Sequence, residues 1–207
     1  MKVTIVYDNE ALEGFKSGWG FSCYIESNVK ILFDTGWDGN VLLHNLKKID
    51  VERFDYIMLS HQHWDHIGGL NHVIDKAEYV VIPRSFSQNL KREITRKAKI
   101  VEVKDATKIA DGFYTTGDLN GEQSAILESK RGLIVITGCA HPGLDRIVEK
   151  AKEFGKIYAI IGGFHDFSEI EKISKYKLIP CHCTSKKQEI LKLKNSKFCA
   201  AGSVFQF

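Results

Sequence analysis

The chain has 207 residues, 43% of them hydrophobic and 27% charged, and a formal net charge of +3. That is enough apolar material for one sizeable core, and no linker-like stretch divides it, so one domain over residues 1–207 is expected. The small charge makes nucleic acid an unlikely partner. No apolar run reaches the ~20 residues needed to cross a bilayer, and the opening MKVTIVYDNE reads as a first strand rather than a signal peptide. A soluble cytoplasmic protein follows as the expectation. Five cysteines, an odd number, argue against a disulfide scaffold and for reduced thiols.

Taken in chain order, Val3 to Tyr7, Phe21 to Glu26 and Ile31 to Phe33 read as short strands rich in β-branched and aromatic residues. The loop between the first two carries Phe15 and Trp19, either as a plain connection or overhanging a pocket. Asp34-Thr35-Gly36 ends the third strand, Val41 to Ile49 has helical spacing, and Tyr56 to Leu59 is a further strand. Beyond it, His72 to Ala77 reads as continuing a helix, and Tyr79 to Ile82 as a strand ended by Pro83. Ser85 to Lys99 is a basic helix, a solvated face or a guide for an anionic substrate. Ile100 to Val103, Gly112 to Thr116 and Ser124 to Glu128 alternate with turns as an antiparallel sheet does.

The second half repeats the pattern. A buried strand runs from Gly132 into the turn at Gly138, with Cys139 and His141 just beyond it. Leu144 to Phe154 is helical, Gly155 caps it, and the strand Ile157 to Ile161 leads into Gly162-Gly163-Phe164-His165-Asp166. Ser168 to Tyr176 opens with a capping-box pattern, Ser168 and Glu171. Leu178 to Pro180 leads into Cys181-His182-Cys183, followed by a lysine-rich helix from Lys186 to about Lys194 and a closing strand from Phe198 to Phe207. Two similar halves facing each other would bring both histidine loops to one edge.

The chemistry concentrates in Ser60-His61-Gln62-His63-Trp64-Asp65-His66, placed where a strand ends and a helix begins. In extended chain the side chains of His61 and His63 point the same way and can share one ion; Asp65 and His66, past the turn, point toward a second. Imidazole nitrogen and carboxylate oxygen suit zinc, and also manganese or iron.

SHQHWDHIGGL resembles the HxHxDH signature of the metallo-β-lactamase superfamily. That resemblance implies an α/β fold, the four-layer αββα sandwich, with a one- or two-metal site between the sheet edges. It implies His61, His63 and His141 around one metal and Asp65, His66 and His182 around the other, with Asp65 also orienting the attacking water. Asp34 would support a ligand histidine. The superfamily's bridging aspartate is replaced by Cys139, and its histidine before the preceding hairpin has no counterpart in Thr116 to Gln123, which raises Asp118 and Glu122 as substitutes.

SHQHWDH, TGCAHPG, IGGFH and PCHCT together look like the branch that includes 7,8-dihydropterin-6-ylmethyl-4-(β-D-ribofuranosyl)aminobenzene 5′-phosphate synthase. Three readings follow from the resemblance. One is a metal-dependent hydrolase of a small, anionic phosphorylated or ester substrate, with two zinc ions. Another is a pterin-methyl transferase releasing diphosphate, with His165, Lys186 and Lys187 contacting phosphate. The third is a metal-bound sensor without turnover.

Overall fold

The structure is a computed structural model describing residues 1–207. In chain order the strands are β1 Lys2–Tyr7, β2 Ser22–Glu26, β3 Lys30–Phe33, β4 Phe54–Met58, β5 Ala77–Pro83, β6 Lys99–Val103, β7 Thr107–Ala110, β8 Phe113–Thr115, β9 Ala125–Ser129, β10 Gly132–Thr137, β11 Ile157–Gly163, β12 Lys177–Cys181 and β13 Val204–Gln206. The helices are α1 Gly39–Lys48, α2 Trp64–Ile67, α3 Gln88–Thr95, α4 Leu144–Lys152, α5 Ile170–Ile173 and α6 Lys187–Ile190.

Seven strands form one mixed sheet in the order β13-β1-β2-β3-β4-β5-β6, and six form the other in the order β12-β11-β10-β9-β8-β7. In each, an antiparallel region passes into a parallel one: β3, β4, β5 and β6 are parallel in the first, β10, β11 and β12 in the second. The strand-helix-strand units β3-α1-β4 and β10-α4-β11 are therefore equivalent, which is the repetition visible in the sequence.

Alternation along the strands builds the layers. Ile31 and Phe33 of β3, Met58 of β4, Ile134 and Ile136 of β10, and Ala159 and Ile161 of β11 share one buried cluster between the sheets. The intervening Leu32, Ile57, Val80 and Ile82 face outward and pack with Leu42 and Leu46 of α1 and Ile94 of α3. Val135 and Ile160 of the second sheet do the same against Leu144, Ile147, Val148 and Ala151 of α4. Strands buried on both faces between two helical layers make this the αββα sandwich. No helix is long and apolar enough to cross a membrane.

Several local expectations are corrected. Residues His72 to Ala77 do not continue a helix: two 3-10 turns, Leu70–His72 and Ile74–Lys76, are separated by Val73 at φ −132°. The capping box at Ser168 does not form; the Ser168 carbonyl accepts from Ile170 N at 3.0 Å, and the helix covers only Ile170–Ile173. The closing strand is three residues long because Ala200 to Ser203 turns before it. β6 joins the first sheet in parallel, and β7, with only four residues, two of them exposed, carries too weak an alternation to be read from sequence.

The cysteines are the larger correction. Cys181 and Cys199 are disulfide-bonded, and Cys23, Cys139 and Cys183 are free. The end of β12 and the segment before β13 run together with Cα atoms 5.5 Å apart, within disulfide reach. Counting cysteines cannot detect that proximity.

Candidate metal centre

His61 to His66 spans the exit of β4 and the single turn of α2, so its side chains divide into two directions. His63 is still extended, at φ −74° and ψ 146°. Its ring lies 4.5 Å from that of His61, and His141, from the loop after β10, closes the trio at 4.7 and 4.9 Å from the same two rings. The ligand atoms of His61, His63 and His141 all lie within 4.8 Å of one another. Past the helical turn, Asp65 and His66 meet His182 from the loop after β12 in a second such group. Asp65 Oδ2 is 3.1 Å from His182 Nε2 and 3.9 Å from His66 Nε2.

Cys139 lies between the trios. Its sulfur is grouped with His61 and His66 on one side and with His182 and Cys183 on the other, and it is 3.1 Å from His66 Nε2. The neighbouring Cys183 thiol and burial both hold the Cys139 thiol far above its ordinary pKa.

The rings are fixed from behind. Asp34, fully buried at φ 54°, accepts from Ser60 N and Ser60 Oγ, each at 2.7 Å, and from His66 Nδ1 at 2.7 Å. Since the Ser60 hydroxyl proton goes to Asp34, Ser60 Oγ is the acceptor for His61 Nδ1 at 2.8 Å. One carboxylate thereby sets the tautomer of two histidines. Burial lifts the Asp34 carboxyl to about 7 against the opposing pull of His61 and Ser60.

Glu122 performs the same service for His141. Its Oε1 accepts from the backbone of Cys139 at 2.9 Å and Ala140 at 2.7 Å, and its Oε2 from His141 N at 2.9 Å and His141 Nδ1 at 2.8 Å. Burial opposes its ionisation, but these donors, His141 foremost, hold it at about 2. Three successive N–H groups, with Ala140 at φ 61°, form an anion nest filled by this side chain. Glu122 is thus a support, not a substitute ligand. Asp118 stands away from both trios and accepts from Ser85 N and Gly121 N at 2.7 Å.

His182 is held by two residues the motif reading did not single out. Its N–H donates to Asp8 Oδ1 at 2.7 Å, its Nδ1 donates to Asn9 Oδ1 at 2.9 Å, and Asn9 Nδ2 donates to the His182 carbonyl at 3.1 Å. Both sit in the sequence as ordinary polar residues after a strand; only their place beside β12 reveals the role. Gln123 is the third omission. Its Nε2 donates to Leu59 O and Val81 O at 2.9 and 3.1 Å, and its Oε1 accepts from Thr115 Oγ1 at 2.8 Å, stitching the two sheets beneath the site.

Gly138 permits a close approach of the halves: a Cβ there would strike Ser60 Oγ and crowd Asp34 Oδ2. Of the expected substrate contacts, His165 has its ring 5.0 Å from that of His141 and its Nδ1 3.0 Å from Asp166. Lys186 pairs with Glu189 on its own helix at 2.8 Å. Lys187 pairs with Glu10 at 2.8 Å and lies 3.8 Å from Asp8, so its amine is turned toward the support of His182.

This donor set fits divalent cations. His61 Nε2 is buried without a hydrogen-bond partner. Burial, with like charge from neighbouring histidines, lowers the pKa of His61 and of His66 to about 3, so both offer neutral lone pairs. With Nδ1 of His182 committed to Asn9, its Nε2 and Asp65 Oδ2 face one another as acceptors unless a positive charge, a proton or a metal, joins them.

A sequence model of the Metallo-beta-lactamase superfamily matches residues 22–91. An uncharacterized protein of Methanocaldococcus jannaschii is 27% identical over 230 aligned positions, covering 88% of this chain and 90% of that protein. From the same organism, 7,8-dihydropterin-6-methyl-4-(beta-D-ribofuranosyl)-aminobenzene-5'-phosphate synthase is 26% identical over 241 positions, covering 83% of this chain and 82% of its own. A crystal structure described as a metal-dependent hydrolase of the beta-lactamase superfamily superimposes with a TM-score of 0.86 at 27% identity, over 100% of this chain and 99% of that one. Signature, layering and relatives converge: the chain has the metallo-β-lactamase fold, and its residues 22–91 match the sequence model of that superfamily.

Proposed function

We propose that this protein is a metal-dependent hydrolase of a small anionic phosphorylated or ester substrate. His61, His63 and His141 hold one cation, and Asp65, His66 and His182 the other. The observation that carries this reading is the common arrangement of four imidazoles: Nδ1 of His61, His66, His141 and His182 each has a fixed partner, leaving every Nε2 for the shared space. Zinc suits this mixture of imidazole, carboxylate and a nearby thiol, with manganese and iron as alternatives. Bound there, such ions supply Lewis acidity and bring the pKa of water to about 7.

The protein's own contribution is orientation. Asp34 keeps the rings of His61, through Ser60, and of His66 from turning, Glu122 does so for His141, and Asp8 and Asn9 for His182. Asp65 Oδ2 is engaged by His182, so its other oxygen is available to accept a proton from an attacking water and aim it. The partly exposed His165, its ring 5.0 Å from that of His141, is the proposed contact for the substrate's anionic group.

A second reading is favoured by the 26% identical relative: the same site would bind a pterin-methyl diphosphate and release diphosphate to an arylamine phosphate. Both readings are tested on zinc-loaded protein. Chelator-sensitive hydrolysis of a panel of phosphodiesters, thioesters and lactones supports the hydrolase. Product formed only from paired pterin and aminobenzene substrates replaces it with the transferase. Stoichiometric metal without turnover on either panel refutes both and leaves a sensor.

A further inference from the structure

A groove of about 460 Å³ opens at the end of the second sheet remote from the donor trios. Six of its nine lining residues are Arg131, Lys156, Lys175, Lys177, Lys194 and Lys197, and none is acidic.

The parallel strands explain the placement. Arg131 precedes β10, Lys156 precedes β11 and Lys177 opens β12, whereas His141, His165 and His182 follow the opposite ends of the same three strands. Lys197 N donates to Leu178 O at 2.9 Å, which sets the 194–197 segment beside β12. Cations from four neighbouring stretches therefore meet at one rim. At ~3.3 Å per residue along β10, that rim is roughly 20 Å from the metal centre.

The charge gathered there has no internal counterpart. Elsewhere exposed cations sit beside carboxylates, as Lys99 does with Glu78, Lys108 with Asp111 and Lys172 with Glu169. Other grooves are mixed in the same way: Lys30 and Arg53 share one with Asp55 and Asp75, and Lys47 shares another with Asp50 and Glu52. In this groove the partners are neutral rings. The Arg131 guanidinium lies 5.6 Å from the Tyr158 ring centre and donates to Tyr158 Oη at 2.9 Å. Lys177 Nζ is 5.2 Å from the Phe207 ring centre, and Lys175 Nζ is 5.3 Å from that of Tyr176. A π-face steadies a cation without cancelling its charge.

We propose that this groove is a second anion site, which binds a short chain of linked phosphates such as inorganic tripolyphosphate or the triphosphate of a nucleotide. It does not rest on the metal-centre reading. Lysine meets phosphate as a point charge, and concave walls concentrate the field of several lysines on one ligand. A single phosphate carries too little charge to balance six cations. A long nucleic-acid strand is disfavoured because carboxylates flank the groove. Glu128 of β9 stands opposite Leu133, next to Arg131's turn, and α4, whose Lys152 lines the adjoining pocket with Lys156 and Lys175, carries Glu149 and Glu153. The concave shape disfavours a planar membrane.

Isothermal titration of the full-length protein, chelated and zinc-loaded, tests the proposal with tripolyphosphate, adenosine triphosphate, citrate and a single-stranded oligouridylate. One site should take tripolyphosphate or the nucleotide in chelated protein, the tighter of the two naming the source of the phosphates, and binding should weaken as salt rises. Combining Lys156→Glu with Lys194→Glu, both at exposed positions, should lower that affinity by about tenfold or more while zinc content is unchanged. The same change of net charge made on α1, Lys47→Glu with Lys48→Glu, should leave the affinity at its wild-type value. Absence of binding to either phosphate chain, an equal loss in the α1 variant, or citrate binding as tightly as tripolyphosphate overturns the proposal. So does oligouridylate binding more tightly than both phosphate chains, which would make the groove a nucleic-acid surface. Binding confined to zinc-loaded protein and untouched by the groove variant also overturns it, placing the anion at the metals. Groove binding in a protein that takes up no zinc upholds it and refutes the metal reading.

Discussion

Glu122 holds His141 at two points, accepting from its backbone N–H at 2.9 Å and from its ring Nδ1 at 2.8 Å with the same oxygen. The ligand-bearing ring and the loop that carries it are therefore fixed by one side chain from the hairpin stretch ahead of β9. Where the family resemblance leads one to look for a histidine ligand, this protein has a carboxylate that positions a histidine donated by another loop.

Glu122→Gln should consequently loosen the first trio. An amide retains one acceptor but turns an NH2 toward donors, leaving part of the 139–141 nest unsatisfied. Zinc affinity should fall by about 10- to 100-fold, the usual effect of losing a ligand's support, with the circular-dichroism spectrum unchanged. Wild-type affinity in calorimetric titration would show that His141 needs no such anchor.

His61→Ala and His182→Ala strike different trios. Elemental analysis of each should show metal lost from two equivalents toward one, together with a fall in turnover of more than about 100-fold, since a direct ligand matters at least as much as its support. Full metal in both variants would contradict the assignment. Removing metal with a chelator should also lower thermal stability, by about 2.7 kcal/mol if metal had been present at a hundred times its dissociation constant.

Gln123→Ala should destabilise the fold without removing the ligands. It deprives Leu59 O and Val81 O of their side-chain donor and Thr115 Oγ1 of its acceptor in a fully buried place. The cost should be about 2–4 kcal/mol by urea unfolding, given roughly 1–3 kcal/mol for a buried polar group left unpaired. A midpoint equal to wild type would mean that the sheets do not depend on this bridge.

The disulfide gives a chemical count. Thiol titration of unfolded, unreduced protein should find the three free cysteines, Cys23, Cys139 and Cys183. Because Cys181 and Cys199 are separated by 18 positions, Cys199→Ala should cost about 3 kcal/mol on the loop-entropy scale. Five titratable thiols before reduction would remove the bond.

The sequence by itself determined most of the strand and helix segments and the HQHWDH segment, while the two-sheet layering was implied by that segment's resemblance to the metallo-β-lactamase signature. The first two are local: β-branched residues buried on two faces, apolar positions at helical spacing in α1 and α4, and four donor side chains within six positions after a strand. It also carried a coarse echo between the two halves, which the sheet topology shows to be the equivalent units β3-α1-β4 and β10-α4-β11. What only the tertiary structure decided are the relationships between distant segments: Asp34 with Ser60 and His66, Glu122 with His141, Asn9 with His182, Gln123 between the sheets, and Cys181 with Cys199. A buried glutamate, asparagine or glutamine has the same local signature as an exposed one. Its role arises when sheet packing removes water and leaves specific groups from distant segments as its partners, and no spacing rule encodes that encounter.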